Sequence, residues 1–130
     1  MKKNGLSIPE VMIAIFIILV GLSGISGVIS KIIPVAGLSS LYFEASYLAQ
    51  EGIELVRNKR DENWINFRAW NDGITSSTQS IPPFTRTVTV IEPPDAPPDT
   101  TILITAEVTF DFKGKTHNFS AQEYIYQWIR

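Results

Sequence analysis

Residues that could carry out chemistry are few in this chain of 130 residues, and they stand far apart. Cysteine is absent, so a disulfide, a thiolate metal site and a cysteine nucleophile are all excluded. His117 is the only histidine, and we expect it to be an exposed strand residue rather than a metal ligand. Asp95 and Asp99 lie in a proline-rich loop without further ligands at calcium-loop spacing, which is a weak calcium signal. With no phosphate loop, nucleophile elbow or catalytic triad, the sequence predicts no enzyme activity and no cofactor or metal.

One carboxylate has a distinctive position, at the start of an apolar run from Val11 to Ile33. This residue is Glu10, and no residue from Val11 to Ser30 is charged. A helix over that span rises ~1.5 Å per residue and is ~30 Å long, which is the thickness of a bilayer's hydrocarbon core. A charge buried in the membrane costs ~2.5 to 3.5 kcal/mol, so Glu10 requires a partner.

The amino terminus carries a short motif: Lys2, Lys3 and Gly5 precede the hydrophobic Leu6, and Glu10 follows just before the apolar run. This motif resembles the prepilin signal of type IV pilins and pseudopilins. The resemblance implies that residues 1–5 are a leader peptide, which a membrane prepilin peptidase removes by cutting the Gly5–Leu6 bond. The same enzyme would then methylate the new amino terminus at Leu6. The implied partner of Glu10 is the mature amino terminus of a neighbouring subunit during filament assembly.

Two residues depart from the commonest form of this signal. Leu6 stands where phenylalanine is usual, and Pro9 immediately precedes Glu10. We expect Pro9 to be tolerated, because the first N–H groups of a helix have no partner within the helix. An uncleaved signal anchor and a cleaved secretory signal peptide are alternatives, although the latter has a shorter apolar centre and a small-x-small cleavage site.

Composition and flanking charges set the remaining limits. The length allows one small domain beyond the apolar run. The formal charge of −2, which becomes −4 without Lys2 and Lys3, argues against direct nucleic-acid binding. These lysines also predict a cytoplasmic amino terminus and a single-pass precursor in the bacterial cytoplasmic membrane. The resemblance then implies a filament at the cell surface or in the periplasm.

The first helix divides into two predicted halves. Residues 6–34 form the transmembrane or filament-core half, which contains Gly21, Gly24, Gly27 and, at its end, Pro34. The glycines could form a close-packing face for another helix, or they could simply be tolerated in a membrane span. In the resembled family they would mark a weak point where the helix loosens outside the membrane. Pro34 predicts a kink or break near residues 30–34 in any case.

Residues 35–60 form the second, amphipathic half, which we expect to end at the basic Arg57-Asn58-Lys59-Arg60. Residues 61–83 then read as a polar, variable loop that contains Trp64, Phe67 and Trp70. These aromatic residues could be a lid over a small core or a partner-binding surface. The corresponding segment of the resembled family is the variable, surface-displayed part.

Residues 84–130 read as an antiparallel meander of three strands. In the third strand Tyr124, Tyr126 and Trp128 are out of phase with Phe119, which predicts a bulge or a partner on the opposite face. The amphipathic half of the helix is the only candidate to cover the sheet. The expected fold class is therefore α+β, a lollipop of one long helix and a small three-stranded sheet, which is also the fold that the resemblance implies.

The sequence thus predicts a structural protein, a minor pilin or pseudopilin that assembles through its amino-terminal helix into a pilus-like filament. Its implied partners are the prepilin peptidase, other pilin or pseudopilin subunits and the inner membrane. Whether the filament serves a pilus, type II secretion or DNA uptake is left open. The alternative is a single-pass, membrane-anchored binding or adhesion domain that uses the aromatic residues as its contact surface.

Overall fold

The computed structural model of the chain describes residues 7–95, 97 and 99–127. Its elements are one helix and four strands, namely α1 (Ile8–Ile65), β1 (Ser77–Ile81), β2 (Phe84–Ile91), β3 (Thr101–Phe112) and β4 (Lys115–Tyr126). The chain divides into two compact units, Met1–Ser39 and Ser40–Arg130, which we call the amino-terminal unit and the sheet unit. The predicted α+β class, with a long amino-terminal helix packed on an antiparallel sheet, is confirmed.

The sheet has four strands in the order β1-β2-β3-β4, not the three that the sequence predicts. The additional strand, β1, lies within the predicted loop 61–83 and pairs antiparallel with β2 from Ser77 opposite Val88 to Ile81 opposite Phe84. The sequence of β1 is Ser-Thr-Gln-Ser-Ile, which lacks the alternation of apolar residues that marks a half-buried strand. Its pairing with β2 therefore defines this strand, and local pattern does not reveal it.

The pairing of β3 with β4 is regular along its whole length, from Thr101 opposite Tyr126 to Phe112 opposite Lys115. The predicted bulge in β4 is therefore wrong. The two strands are joined by a tight turn at Lys113 and Gly114, which both have positive φ, as a two-residue hairpin of type I′ requires. Tyr124 is out of phase with Phe119 simply because it lies on the sheet face that α1 does not cover.

The part of α1 in the sheet unit packs on the sheet through small and branched side chains. Ala45, Ala49, Ile53 and Val56 are buried at three- and four-residue intervals, as an amphipathic helix requires. Gly52 allows a close approach of the helix to the sheet, because a Cβ at that position would lie 3.0 Å from Cγ2 of Val88. The core is completed by buried apolar side chains of the sheet and of the segment after α1: Trp70, Phe84, Val88, Ile102, Ile104, Ala106, Val108, Phe110 and Ile125.

A buried arginine ties the helix to the first two strands. Arg86 alternates with the threonines of β2 and so faces α1, where it donates hydrogen bonds to the carbonyl oxygen of Leu48 at 3.1 Å and to Oε2 of Glu51 at 2.9 Å. It also donates to Oε1 of Gln79 in β1 at 2.6 Å. A buried charge needs such partners, and these contacts connect β1 to the helix.

A second arginine joins the helix to β4. Arg57 donates to the carboxylates of Glu123 in β4 and of Glu54 one turn earlier in α1. The pKa of Arg57 is raised, mainly by its hydrogen bond to Glu123 and further by the charges of both glutamates. The guanidinium is partly exposed, so this contact orients the two elements more than it stabilises them.

The helix ends at Ile65 rather than near Arg60. Its end is a Schellman motif, in which the N–H of Phe67 bonds to the carbonyl of Trp64 and the N–H of Arg68 to the carbonyl of Asn63. The C′ position of this motif needs a left-handed residue, and Phe67 occupies it at φ 56°. Of the predicted loop 61–83, the stretch between α1 and β1 and the Pro82–Pro83 link remain outside regular elements.

Candidate functional site

The structure offers two candidate surfaces, one in each unit. The first is the beginning of α1, where the carbonyl of Ser7 accepts hydrogen bonds from the N–H groups of Glu10 and Val11. Pro9 lies within the first turn, as predicted, and the helix forms around it. Glu10 is exposed in that turn, where a carboxylate also interacts favourably with the helix dipole. Gly5 and Leu6, the predicted processing site, lie outside the described residues.

The apolar side chains that follow Glu10 are exposed to solvent in the part of the chain that the structure describes. α1 contains a stretch that is long and apolar enough to cross a membrane, and none of that stretch is buried. The hydroxyls of Ser23, Ser26 and Ser30 donate to carbonyl oxygens one turn earlier, at 2.7 to 2.9 Å. These polar groups are therefore satisfied within the helix, as a helix surrounded by lipid requires.

The predicted weak point of the helix contains no break. α1 continues through Pro34, so of the predicted kink or break near residues 30–34 the break is absent, and the kink stays a prediction. The preceding residues stay helical because a proline inside a helix removes one hydrogen bond and bends the chain without necessarily ending the helix. At Gly21, Gly24 and Gly27 a Cβ would meet no atom within 4 Å, so these positions are open in a single chain.

The second surface is an open groove of about 1050 Å³ in the sheet unit. It lies where the end of α1, the following turn, the loop before β3 and the end of β4 meet. Three of the aromatic residues singled out from the sequence, Trp64, Phe67 and Trp70, line it together with Tyr126. These residues are up to 62 positions apart in the chain, and the fold brings them together. Tyr124 is exposed on the outer sheet face and does not line the groove, and Trp128 lies outside the described residues.

Asn63 and Trp70 hold the wall of the groove in place. The buried side chain of Asn63 donates from Nδ2 to the carbonyl oxygens of Trp70 at 3.2 Å and Asp72 at 2.7 Å. The buried Trp70 donates from Nε1 to the carbonyl oxygen of Asp99 at 2.7 Å, across the groove's base. The turn after the helix is thus fixed to the loop before β3. No local pattern singles out Asn63, because a polar residue at a helix end is usually solvated.

Phe67 is the most conspicuous residue of the groove. Its side chain is 85 % exposed, and its backbone is in the left-handed region that phenylalanine rarely adopts. Glycine is the usual residue at this position of a Schellman motif, because it has no Cβ to strain. A strained backbone that displays an aromatic ring to solvent is a feature found at binding sites. Arg68 and Asp99 are the charged residues that line the groove, so it carries little net charge.

His117 lies in the sheet unit and not at the surface position that the sequence predicted. It is half-buried on the helix-facing side of β4, stacked on Phe110 at 5.6 Å between ring centroids. Its Nδ1 is 3.2 Å from the hydroxyl of Tyr42 in α1. The alternation of β4 places it there, because residue 117 shares a face with Phe119 and Ala121. Among the described residues no group of three or more His, Cys, Asp and Glu side chains could hold a metal ion.

No protein-family model matches the chain, and no characterised protein or solved structure is significantly similar to it. The chain itself offers two surfaces that bear on its function. One is the exposed apolar part of α1 with Glu10 in its first turn, and the other is the aromatic groove in the sheet unit.

Proposed function

We propose that this chain is a structural subunit, a minor pilin or pseudopilin, of a type IV pilus-like filament. It is made as a single-pass precursor in the bacterial cytoplasmic membrane, with its amino terminus in the cytoplasm. The prepilin peptidase cuts after Gly5 and methylates Leu6, and the chain then enters the filament through its amino-terminal helix. It is a substrate of an enzyme and not itself an enzyme.

The observation that carries this proposal is the isolation of Glu10. Between Lys3 and Lys31 it is the only charged residue, and it stands in the first turn of a helix whose next twenty residues are uncharged. The apolar surface around it is uncovered in the single chain and needs lipid or other helices. A carboxylate at the edge of such a surface is costly unless a cation meets it. The free amine of a neighbouring subunit at Leu6 would supply that cation.

The proposed pairing predicts the effect of Glu10→Ala. Membrane insertion should be unchanged, because removing a charge does not oppose insertion, whereas incorporation into filaments should fall at least about tenfold, since the neighbour's amine loses its partner. The measurement is the ratio of chain in sheared filaments to chain in the membrane fraction, in cells that carry a pilin assembly machine. Glu44→Ala, at an exposed glutamate later in α1, is the matched control and should incorporate normally. Normal incorporation of Glu10→Ala would refute the pairing.

The aromatic groove favours a second candidate function, that of a membrane-anchored binding or adhesion domain. In that case α1 is only an anchor, and Trp64, Phe67 and Tyr126 contact a ligand or partner. The two functions differ in the state of the amino terminus, because an anchor keeps residues 1–5 whereas a processed subunit loses them.

A further inference from the structure

β4 is a long strand at the edge of the sheet. It pairs only with β3, along twelve residues, and the opposite side of its backbone forms no hydrogen bond in the described part of the chain. The strand contains neither a proline nor a bulge, two of the devices with which proteins protect such edges. A long edge without a proline or a bulge can pair with another strand.

The helix leaves this edge open. At Gly52, α1 lies against Val88 of β2 and Ala106 of β3 rather than against β4. The helix-facing side chains of β4 from His117 to Glu123 are only half-buried, Phe119 among them. A further strand beside β4 would therefore cover Phe119 without displacing α1.

The charged residues of β4 indicate which strand fits beside its free edge. Lys115 and Glu123 are the charged residues of the strand, and both lie on its helix-facing side. If two copies of β4 pair antiparallel with Phe119 opposite itself, Lys115 of each copy lies opposite Glu123 of the other. The registers that place Lys115 opposite Lys115 or Glu123 opposite Glu123 bring like charges together, which is destabilising. We propose that β4 pairs antiparallel with β4 of a second copy, about a two-fold axis at Phe119.

The remaining side chains agree with this register. It pairs residues 115–123 of one copy with the same residues of the other, so most of the edge is used. Two phenylalanine rings meet on the axis, and cross-strand aromatic pairs are favourable. On the outer face Asn118 lies opposite Ser120 and Thr116 opposite Gln122, all uncharged and able to hydrogen-bond.

The two-fold axis makes the sheet units of the two copies run in opposite directions. In each copy Tyr42 lies beside His117 and Arg57 beside Glu123, so this part of α1 runs in the direction of β4. The axis reverses that direction, and the two Ser40 ends of the sheet units then lie at opposite ends of the paired sheet. The pair is therefore closed and contains two copies. The β4–β4 pairing does not depend on the proposed function, because it involves the sheet unit alone.

Single cysteines test the register, because the full chain has none of its own. Directly opposite residues of an antiparallel pair are about 4.5–5.5 Å apart at Cα, which suits a disulfide. Phe119→Cys in the full chain in detergent micelles should give a disulfide-linked dimer on mild oxidation, and Thr116→Cys should not. A mixture of Asn118→Cys and Ser120→Cys chains should cross-link to each other, and neither should do so alone. These two exposed positions keep the test valid if Phe119→Cys folds poorly.

Charge reversal tests whether the pairs of Lys115 with Glu123 determine the register. Lys115→Glu places like charges opposite each other at two symmetric positions and should weaken dimerisation about tenfold in sedimentation equilibrium. Lys113→Glu, which makes the same change of charge in the adjacent turn, should leave dimerisation within about twofold of the original chain. A monomeric original chain, cross-linking through Thr116→Cys, or equal effects of the two lysine variants would each overturn the proposal. Pairing of β4 with a different protein would give the first of these results.

Discussion

Replacement of Phe84 by alanine will lower the free energy of unfolding of the sheet unit by about 3–5 kcal/mol. Phe84 is 1 % exposed and packs edge-on against Phe110, its cross-strand partner in β3, at 5.5 Å between ring centroids. Removal of the ring loses its transfer free energy and leaves a cavity, which close-packed neighbours fill only in part. The measurement is urea unfolding of the full chain in detergent micelles, followed by tryptophan fluorescence, since Trp70 is buried in the same unit.

The matched control is Phe43→Ala in the same unit. Phe43 is 65 % exposed on α1, so its removal should change the free energy of unfolding by no more than about 0.5 kcal/mol. Equal effects of the two substitutions would show that Phe84 does not lie in the core described above.

The second large effect is expected at Asn63, which organises the wall of the groove. Asn63→Leu keeps the number and branching of the side-chain heavy atoms but removes both donors to the carbonyl oxygens of Trp70 and Asp72. The cost should be about 2 kcal/mol, because the loss of both Nδ2 bonds outweighs the relief of Oδ1, which has no hydrogen-bond partner among the described residues. The emission of Trp70 should also shift to the red, as the turn that holds it loosens.

Asn66→Leu serves as the comparison for this prediction. Asn66 lies three residues on, is exposed and bonds only to a carbonyl within its own helix end, so its loss should cost a few tenths of a kcal/mol. If Asn63→Leu unfolds at the same urea concentration as Asn66→Leu, the hydrogen bonds of Asn63 do not hold the groove together.

The sequence predicts an element correctly where the spacing of its own apolar residues marks the face that is buried. The alternation from Ile102 to Phe112 marks β3, and the three- and four-residue spacing from Ala45 to Val56 marks the packed face of α1. The Lys113–Gly114 turn is equally local, since Gly114 readily accepts the positive φ that a two-residue hairpin requires. These features depend on neighbours along the chain and are therefore readable from it.

The features that sequence reasoning missed depend on residues distant in the chain. β1 is polar and exists as a strand only beside β2, while its Gln79 meets a buried arginine of that strand. The helix extends to Ile65 because the turn that caps it is fixed through Asn63 and Trp70. The same contacts of Asn63 and Trp70 hold the wall of the groove. Its aromatic residues can be singled out in the sequence, but only the fold shows that Tyr126 joins them and Tyr124 does not.

The most direct test of the proposed function is the mass and sequence of the amino terminus of the chain, recovered from the membranes of cells that produce it. A processed pilin-like subunit predicts a chain that begins at Leu6 with an N-methyl group. Cells lacking the prepilin peptidase should instead retain residues 1–5. A chain that still begins at Met1 in cells with an active peptidase would contradict the account, and would leave α1 as a plain membrane anchor.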